Sequence, residues 1–587
     1  MKKNFLFAMA MAAVFAGCSS DDDPVTNAGG EVVDGDKYVA LAISMPDNIA
    51  TTRADDLFNE EDDLHDGLPV EYKVVDATLL VFDGTGNDAT CKEVVKLSTE
   101  PWTNKSDDPN QITQSSTKVI AKVNQATNTS GALVILNSGT IDLNSLNGKT
   151  FTQVLAETTN ADLTSTTTGF MMANAPLTNK VGSPSYDGDV TTLRPITAVY
   201  SSYAAAAAAT NVDQVYVERA VAKVTLSSVS GQTLESDNTL NWTLLSWAIS
   251  KKSTSTYIVR NTSDDDMDIW GQYTSSNLGT GIFDYRFIGT TPIESGKDLY
   301  RTYFAKDVDY DAPVVLTDIS DDSELKTAFG DSNPQYCYEN TFSVPNMLKK
   351  YTTNVVLKVQ IGDGATDYYT LNGSNSEVYN DAKLKALAYG KVVAAVTESV
   401  IKAGLKTGEV IGYEDFDITY EDNVTTGTTG YLSITSMALN AAGIAKYTSA
   451  AASDAVNDAI INCLTTLNAD LQNSVKLTKY IDGICYYAAR IKHFNESTPW
   501  SPEGKTTAYD GTDEENAINY LGRYGVLRNN WYDLKVSKIT NIGDPELPKF
   551  TSDPDNPGNE TDDDIESYVV MQINILSWAK RSQNVEL

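Results

Sequence analysis

Much of the chain alternates between apolar and polar residues with a period of two, the pattern of half-buried strands. The first clear case is residues 37–44, where smaller residues separate Val39, Leu41 and Ile43. From residue 70 onward, short runs rich in Val, Thr and Tyr are bounded by Asn, Asp, Gly or Ser, as in antiparallel β domains. The pattern therefore predicts a mainly β protein whose short strands are joined by turns.

Three stretches interrupt this strand pattern. Residues 381–405 and 449–473 are rich in alanine and have apolar residues three and four apart, which predicts helices packed against a sheet. The alanine run from Ala204 to Ala209 is predicted to form a loop or a single helical turn. A cleanly alternating segment then ends near residue 229, and we place a domain boundary there.

One further strand pattern stands alone at the end of the chain. Behind a linker rich in Asp, Gly and Pro, Val569, Met571, Ile573 and Ile575 occupy alternate positions. A single strand at a chain end is not stable alone. It must pair either with its own domain, as an ordinary final strand, or with another molecule, as a connector, and the linker permits both.

Composition limits the classes of partner. The chain has 587 residues, of which 41% are hydrophobic, so it can bury a large core. Its 79 acidic and 44 basic residues give a formal net charge of −35. No nucleic-acid partner is expected, because phosphate binding needs a clustered basic surface. Such an acidic surface suits a protein kept soluble outside the cell.

The first residues have the pattern of an export signal. Lys2 and Lys3 precede an apolar run at residues 5–17, which is too short to span a bilayer, and Cys18 follows. This stretch is similar to a bacterial lipoprotein signal, in which Cys18 is lipidated. The acidic run behind it resembles the tether of lipoproteins exported to the cell surface in Bacteroides-type bacteria. An ordinary secretory signal with an incidental cysteine is the alternative.

Few side chains suit catalysis. The two histidines, His65 and His493, lie in no recognisable motif, so structural or solvated roles are expected for both. The sequence contains no phosphate-binding loop and no G-x-S-x-G nucleophile elbow. Beyond Cys18, four widely spaced cysteines are expected to be buried free thiols: Cys91, Cys337, Cys463 and Cys485.

Acidic clusters leave a weak surface calcium site open. Asp264, Asp266 and Asp268 alternate along one stretch, and Asp553 and Asp555 begin a loop that fails the EF-hand pattern. Solvated loop charge is the alternative for both. No other cofactor or metal is expected, and no pair of acids is singled out as catalytic.

Several stretches together resemble the Bacteroidales fimbrillin family, the subunits of type V pili. Within that family the chain is most similar to the shaft subunit of the minor fimbrium. Besides the lipoprotein leader, the matching stretches are VERAVAKV (217–224), CYENTF (337–342), YIDGICYYAARIKHF (480–494) and YGVLRNNWYDLKVSKITNIGDPELP (524–548).

The resemblance implies two transthyretin-like β-sandwich domains in tandem and no enzymatic activity. The chain would then divide into a signal peptide (1–17), a tether with a removable first strand (18–53), an N-terminal sandwich domain (54–229), a C-terminal sandwich domain with helical insertions (230–549), and a linker with C-terminal donor strands (550–587).

The resemblance also implies maturation by proteolysis. Such subunits are exported as precursors that a lipid, here on Cys18, anchors in the outer membrane. An arginine-specific surface protease then removes the first strand, and Arg53 before Ala54 matches the position of that cut. An ordinary loop arginine is the alternative. The open groove accepts a C-terminal strand of the next subunit, with donor positions Val569, Met571, Ile573, Ile575 and Trp578.

The implied function is that of a subunit of the fimbrial shaft at the cell surface. It would polymerise with copies of itself, assemble with accessory tip and anchor subunits, and meet host or bacterial surface receptors, thereby supporting adhesion and biofilm formation. A surface glycan-binding lipoprotein with exposed Trp and Tyr platforms is the alternative. A secreted hydrolase is a third class, supported only by unassigned carboxylates.

Overall fold

The computed structural model of the protein describes residues 36–44, 68–103, 116–178, 190–210, 212–229, 231–261, 299–302, 305–311, 316–425, 427–493, 524–548 and 569–577. Strands dominate these stretches, so the prediction of a mainly β protein with a few helices is confirmed.

The N-terminal region carries eleven strands within the described residues, several of them very short. They are β1 (Lys37–Ser44), β2 (Ala77–Phe82), β3 (Cys91–Lys96), β4 (Ser116–Val123), β5 (Gly131–Leu136), β6 (Thr158–Thr159), β7 (Met172–Asn174), β8 (Leu177–Thr178), β9 (Val190–Thr191), β10 (Arg194–Pro195) and β11 (Asp213–Arg219). The helices here are α1 (Glu100–Thr103), α2 (Phe151–Leu155) and α3 (Tyr203–Ala208), with 3-10 helices at Pro69–Tyr72 and Leu143–Leu146.

Most of these strands form one sheet in the order β3-β2-β5-β7-β11-β1-β4, with β10 paired to β5. The sheet is covered on both faces, so its central strands are apolar without alternation. Strand β2, for example, is buried along its whole length. Leu79 and Val81 join the core on one face, and Leu80 and Phe82 join the core on the other.

The described residues from Val221 onward form a second β region, which a long insertion interrupts. Before the insertion come β12 (Val221–Ser227), β13 (Gln232–Thr233), β14 (Asn241–Ser250), β15 (Lys252–Ser253), β16 (Thr256–Tyr257), β17 (Tyr300–Arg301), β18 (Leu316–Thr317), β19 (Gln335–Tyr338) and β20 (Asn354–Ile361), with 3-10 helices at Asp322–Glu324, Val344–Asn346 and Lys349–Tyr351. After it come β27 (Ile484–Arg490), β28 (Asn530–Ile539) and β29 (Val569–Ser577).

The insertion carries β21 (Tyr368–Leu371), β22 (Ser374–Tyr379), β23 (Phe416–Glu421), β24 (Thr429–Tyr431), β25 (Ser433–Leu439) and β26 (Lys476–Tyr480). Its helices are α4 (Asp381–Val396), α5 (Glu398–Lys402), α6 (Ala441–Ala445) and α7 (Ala450–Ser474), with 3-10 helices at Tyr413–Asp415 and Ile481–Gly483.

Two four-stranded sheets of the second region enclose one hydrophobic core. Their orders are β19-β12-β28-β29 and β13-β14-β20-β27. Val224 and Tyr532 from the first sheet and Trp247 and Leu357 from the second belong to the same buried cluster. This is a β-sandwich. Its transthyretin-like topology, and the predicted domain limits, stay predictions.

The insertion separates β20 from β27, which are antiparallel neighbours in one sheet. Antiparallel neighbours need only a short turn, so the intervening chain is an addition to the sandwich. It has its own core, to which Leu384 of α4, Val456 of α7 and Ile434 of β25 contribute.

Both predicted helical stretches are confirmed by α4, α5 and α7. The alanine run forms α3, about one and a half turns long, so the single-turn alternative describes it better than a loop. None of the helices in the described part of the chain is long and apolar enough to cross a membrane.

Candidate functional site

Strand β1 lies inside the N-terminal sheet, with partners on both edges. On one side it pairs antiparallel with β4 along all eight of its residues. On the other side, its second half runs parallel to β11, from Leu41 opposite Asp213 to Ser44 opposite Tyr216. Removing β1 would therefore leave two strand edges with unpaired N–H and C=O groups, which are templates for another strand.

The two faces of β1 carry side chains of different size. Val39, Leu41 and Ile43 are at most 1% exposed and belong to one hydrophobic core of the region. Burying each of these side chains contributes about 1.5–3 kcal/mol, so loss of the strand would open an apolar trough. Ala40 and Ala42, on the opposite face, are also buried.

Helix α3 covers β1 and β4. Ser202 caps its first turn by accepting a hydrogen bond from the Ala205 amide (3.2 Å), and Ala206 is fully buried. The Lys118 ammonium, on β4, donates to two carbonyl oxygens at the other end of the helix, those of Ala207 and Ala209, both at 2.7 Å. The helix is thus fastened to the sheet at its C-terminal end.

A second cluster lies where the two β regions meet. Glu71, in the 3-10 helix before β2, is fully buried, and its Oε1 lies 2.7 Å from the Lys223 ammonium of β12. The Tyr336 hydroxyl donates to the same oxygen (2.7 Å). The Arg219 Nε–H, on β11, donates to the Glu71 carbonyl (3.1 Å). The Lys223 ammonium also lies 3.7 Å from the ring centroid of Trp531.

Burial dominates the electrostatics of this cluster. It lowers the pKa of Lys223 and of Arg219, and the Glu71 carboxylate opposes both shifts. Burial and the same carboxylate raise the pKa of the Tyr336 hydroxyl, which remains a donor. The cluster therefore holds its charges only because they lie next to each other.

Two more buried ion pairs flank this junction. Arg260 binds Glu218 in a two-pronged contact, with Nε–H to Oε1 at 2.7 Å and an Nη2 hydrogen to Oε2 at 3.0 Å. Arg528 lies beside Glu339, whose Oε2 accepts from the Arg528 amide at 3.2 Å. Three of the sequence stretches that carried the family resemblance thus meet at this junction, because they contain Glu218, Glu339 and Arg528.

The C-terminal strand β29 pairs antiparallel with β28, at the edge of the sandwich, from Asn530 opposite Ser577 to Ile539 opposite Val569. Met571 is 6% exposed and joins the sandwich core. Of the two alternatives that the sequence left open for this segment, the structure has the tail paired within its own domain.

The predicted site residues fall partly outside the described stretches. This applies to Cys18, Arg53, Ala54 and Trp578, and to His65 and the aspartates at 264, 266, 268, 553 and 555. The donor positions Val569, Met571, Ile573 and Ile575 all lie in β29. The structure therefore places the predicted donor residues together on one strand, and this strand lies in a different sheet from β1.

The remaining candidates for chemistry are structural. His493 is buried, and its Nδ1 lies 2.7 Å from the Tyr532 hydroxyl. The four cysteines in the described residues are free, as predicted; Cys91, Cys337 and Cys485 are buried, which confirms the prediction for these three, whereas Cys463 is only half-buried. Burial raises the pKa of Cys91 to about 11 and those of Cys337 and Cys485 to about 12, so these thiols are poor nucleophiles.

Sequence reasoning missed the role of Glu71 and the position of helix α3 over β1. Glu71 lies on the polar side of a short alternating stretch, between Val70 and Tyr72, where a solvated charge is the usual expectation. The available signal was on its partners, because Arg219 and Lys223 interrupt an otherwise apolar strand pattern and a buried cation needs an anion.

The C-terminal part of the chain matches a known protein family. Residues 478–584 match the family described as "Major fimbrial subunit protein type IV, Fimbrillin, C-terminal". The match covers only this part of the chain. The matched residues contain β27, β28 and β29, so they include both β28 and the tail strand that pairs with it.

Three solved structures of bacterial proteins have low overall similarity to the chain. A putative cell adhesion protein from Parabacteroides distasonis matches with 11% identity and a TM-score of 0.36, covering 93% of this chain and 99% of that one. A putative cell adhesion protein from Bacteroides eggerthii matches with 11% identity and a TM-score of 0.31, covering 94% and 98%. The tip fimbrial protein Mfa3 from Porphyromonas gingivalis matches with 11% identity and a TM-score of 0.28, covering 92% and 100%. No curated protein matches the chain.

Proposed function

We propose that the protein is a structural subunit of a surface fimbrium, built into the shaft as a polymer of identical copies. The observation that carries the proposal is the position of β1, which is internal to its sheet, is the first strand of the described residues, and precedes the Arg53–Ala54 bond. The match of residues 478–584 to the fimbrillin C-terminal family supports the same assignment. Adhesion and biofilm formation follow from such a role, with accessory tip and anchor subunits and surface receptors as partners.

Maturation would run through three positions. Lipid on Cys18 anchors the precursor in the outer membrane, and an arginine-specific surface protease cuts between Arg53 and Ala54. The fragment that leaves contains β1, so the trough lined by its neighbours opens. Glu71 and the 3-10 helix around it remain held at the junction after the cut, because they follow the cleaved bond.

A tail from the next subunit would fill the trough. Val569, Met571, Ile573 and Ile575 alternate as Val39, Leu41 and Ile43 do, so the tail restores burial on the core face and main-chain hydrogen bonds on both edges. Trp578 is the fifth predicted donor position and follows these four residues in the chain. Such a contact joins two different surfaces head to tail and does not close on itself, so it produces a filament without a nucleotide.

The alternative of a glycan-binding lipoprotein needs exposed aromatic platforms. The four tryptophans in the described residues are instead buried: Trp102, Trp242, Trp247 and Trp531. No described tryptophan therefore favours this function.

Replacing Arg53 tests the proposal. We expect an Arg53→Ala precursor to keep its lipidated N-terminus and to form no fimbriae, measured by N-terminal sequencing and electron microscopy of material sheared from the cells. The neighbouring Thr52→Ala variant is the control and should mature normally. Normal fimbriae from cells carrying Arg53→Ala, composed of protein that still begins at Cys18, would contradict the proposal.

A further inference from the structure

Between Tyr38 and Ser44, the face of β1 that lies toward helix α3 carries Ala40 and Ala42. Helix α3 consists of Tyr203 followed by alanines, of which Ala206 is buried. Its contacts with Tyr38, and with Lys118 of β4 opposite Ala42, place it on this face of the sheet. Small residues on both surfaces allow the helix to pack closely on the strand. The slot that holds β1 therefore has two different walls: a hydrophobic core that packs against Val39, Leu41 and Ile43, and helix α3 on the side of the two alanines.

Two sets of contacts hold helix α3 against the sheet, and one of these sets involves β1 itself. Tyr38 and Tyr200 exchange backbone hydrogen bonds at 2.8 and 2.7 Å, just before the helix. The rings of Tyr38 and Tyr203 meet edge to face, with centroids 6.2 Å apart. The other set is the pair of bonds from Lys118 to the C-terminal end of the helix. When β1 leaves, only the Lys118 contacts remain of these two sets.

The tail does not match this slot. If Met571, Ile573 and Ile575 face the core, alternation directs Gln572 and Asn574 toward the helix. Each of these side chains is larger than the alanine it would replace, and a packed interface does not absorb such a change without moving. The helix therefore has to move away from the sheet before the tail can occupy the groove.

We propose that helix α3 is a latch on the first-strand groove, which is closed over β1 in the precursor, released when β1 leaves, and open when a tail from a second copy of this chain is bound. The inference rests on the proposed strand exchange and adds the step that controls it. Release of β1 and admission of the tail are coupled, because Tyr38 supplies part of the hold on the helix.

Cross-linking the latch tests the inference. In a Cys463→Ser background, Lys118→Cys and Ala207→Cys are joined in the precursor by a reducible bis-thiol linker, and the protein is then cut with an arginine-specific protease. We expect polymerisation to fall at least tenfold and to recover after reduction. The single Lys118→Cys variant, treated identically, is the matched control and should polymerise at the unlinked rate.

A change in the tail distinguishes obstruction by the helix from damage to the fold. Added as separate donor subunits, Gln572→Ala/Asn574→Ala tails should occupy the groove of the linked protein at near the unlinked rate, because they fit beneath a closed helix. Polymerisation of the linked, unaltered protein at the control rate would overturn the latch. Failure of the reduced or unlinked protein to polymerise would instead count against the proposed function, so the two failures are separable.

Discussion

Glu71 shows how much one buried carboxylate can hold together. Its side chain neutralises Lys223, and its main chain accepts from Arg219, so a short 3-10 helix is fixed against strands of both β regions. Burying any one of these charges alone would cost several kcal/mol. Each charge therefore stabilises the others, and replacing one of these residues should destabilise the remaining members of the cluster.

We expect Glu71→Gln to lower the free energy of unfolding by about 3 kcal/mol, because Lys223 would stay buried without its anion. The measurement is denaturant unfolding of the full chain. The double variant Glu71→Gln/Lys223→Met is the matched control, since it removes both charges, and should recover much of the loss. Equal destabilisation by the single and double variants would show that the charges do not depend on each other.

The sequence could not reveal this pairing, although it did place its members. Arg219 and Lys223 lie in a segment predicted as a strand, and β11 and β12 confirm that prediction. Their common partner, Glu71, is far away in the chain, at a position where the alternation predicts a solvated side chain. Pattern reports which face a residue occupies, whereas the identity of a long-range partner depends on how whole sheets come together.

At the scale of elements, helix α7 protects an open strand edge. Among the strands that the structure describes, β25 pairs with β23 alone, on one side. Along its other side, the Asn468 side chain accepts from the Ile434 amide (2.8 Å) and donates to the Ile434 carbonyl (2.9 Å). The Asn457 side chain accepts from the Leu439 amide (2.9 Å). The helix thus replaces a neighbouring strand, which matters in a protein proposed to assemble through strand pairing.

We expect Asn457→Ala/Asn468→Ala to destabilise the protein by about 2–3 kcal/mol, because three hydrogen bonds to the edge of β25 are lost at about 1 kcal/mol each. The variant should also aggregate more readily, as measured by light scattering during mild heating. Asn473→Ala is the control on the same helix, since Asn473 is exposed and donates only within α7. A double variant that matches this control in both measurements would refute the protective role.

The periodicity of residues 449–473 predicted α7 almost to its ends, because its apolar face is in the sequence. The protection of β25 was not predictable in the same way. Asparagines on a helix are ordinarily solvated, and only the packed position of α7 brings Asn457 and Asn468 to a strand edge. The position of α3 was not predictable either. Alanine favours helix formation, but a run of alanines does not indicate which surface the helix packs against.

At the scale of the whole molecule, the two strands at the ends of the chain each complete a sheet of the same subunit. Strand β1 completes the N-terminal sheet, and β29 extends the sandwich at β28. Both pairings are intramolecular and hence favoured by high effective concentration. Assembly by tail exchange therefore requires that β1 be lost by cleavage and that β29 leave β28. The alternation of both strands was plain in the sequence, but alternation alone does not select a partner sheet.

A disulfide between β28 and β29 tests whether the tail must leave its own sandwich before the subunits can polymerise. Asn530 and Ser577 lie directly opposite each other in the register, so Asn530→Cys/Ser577→Cys places two thiols within bonding range. We expect the oxidised, protease-cut variant to remain monomeric in size-exclusion chromatography, because the tail cannot leave its own sandwich. Reduction of the same sample should restore filaments, and the single Asn530→Cys variant should form them under both conditions. Filaments from the oxidised protein at the reduced rate would mean that the tail stays on β28 in the polymer, and some other surface would then have to join the subunits.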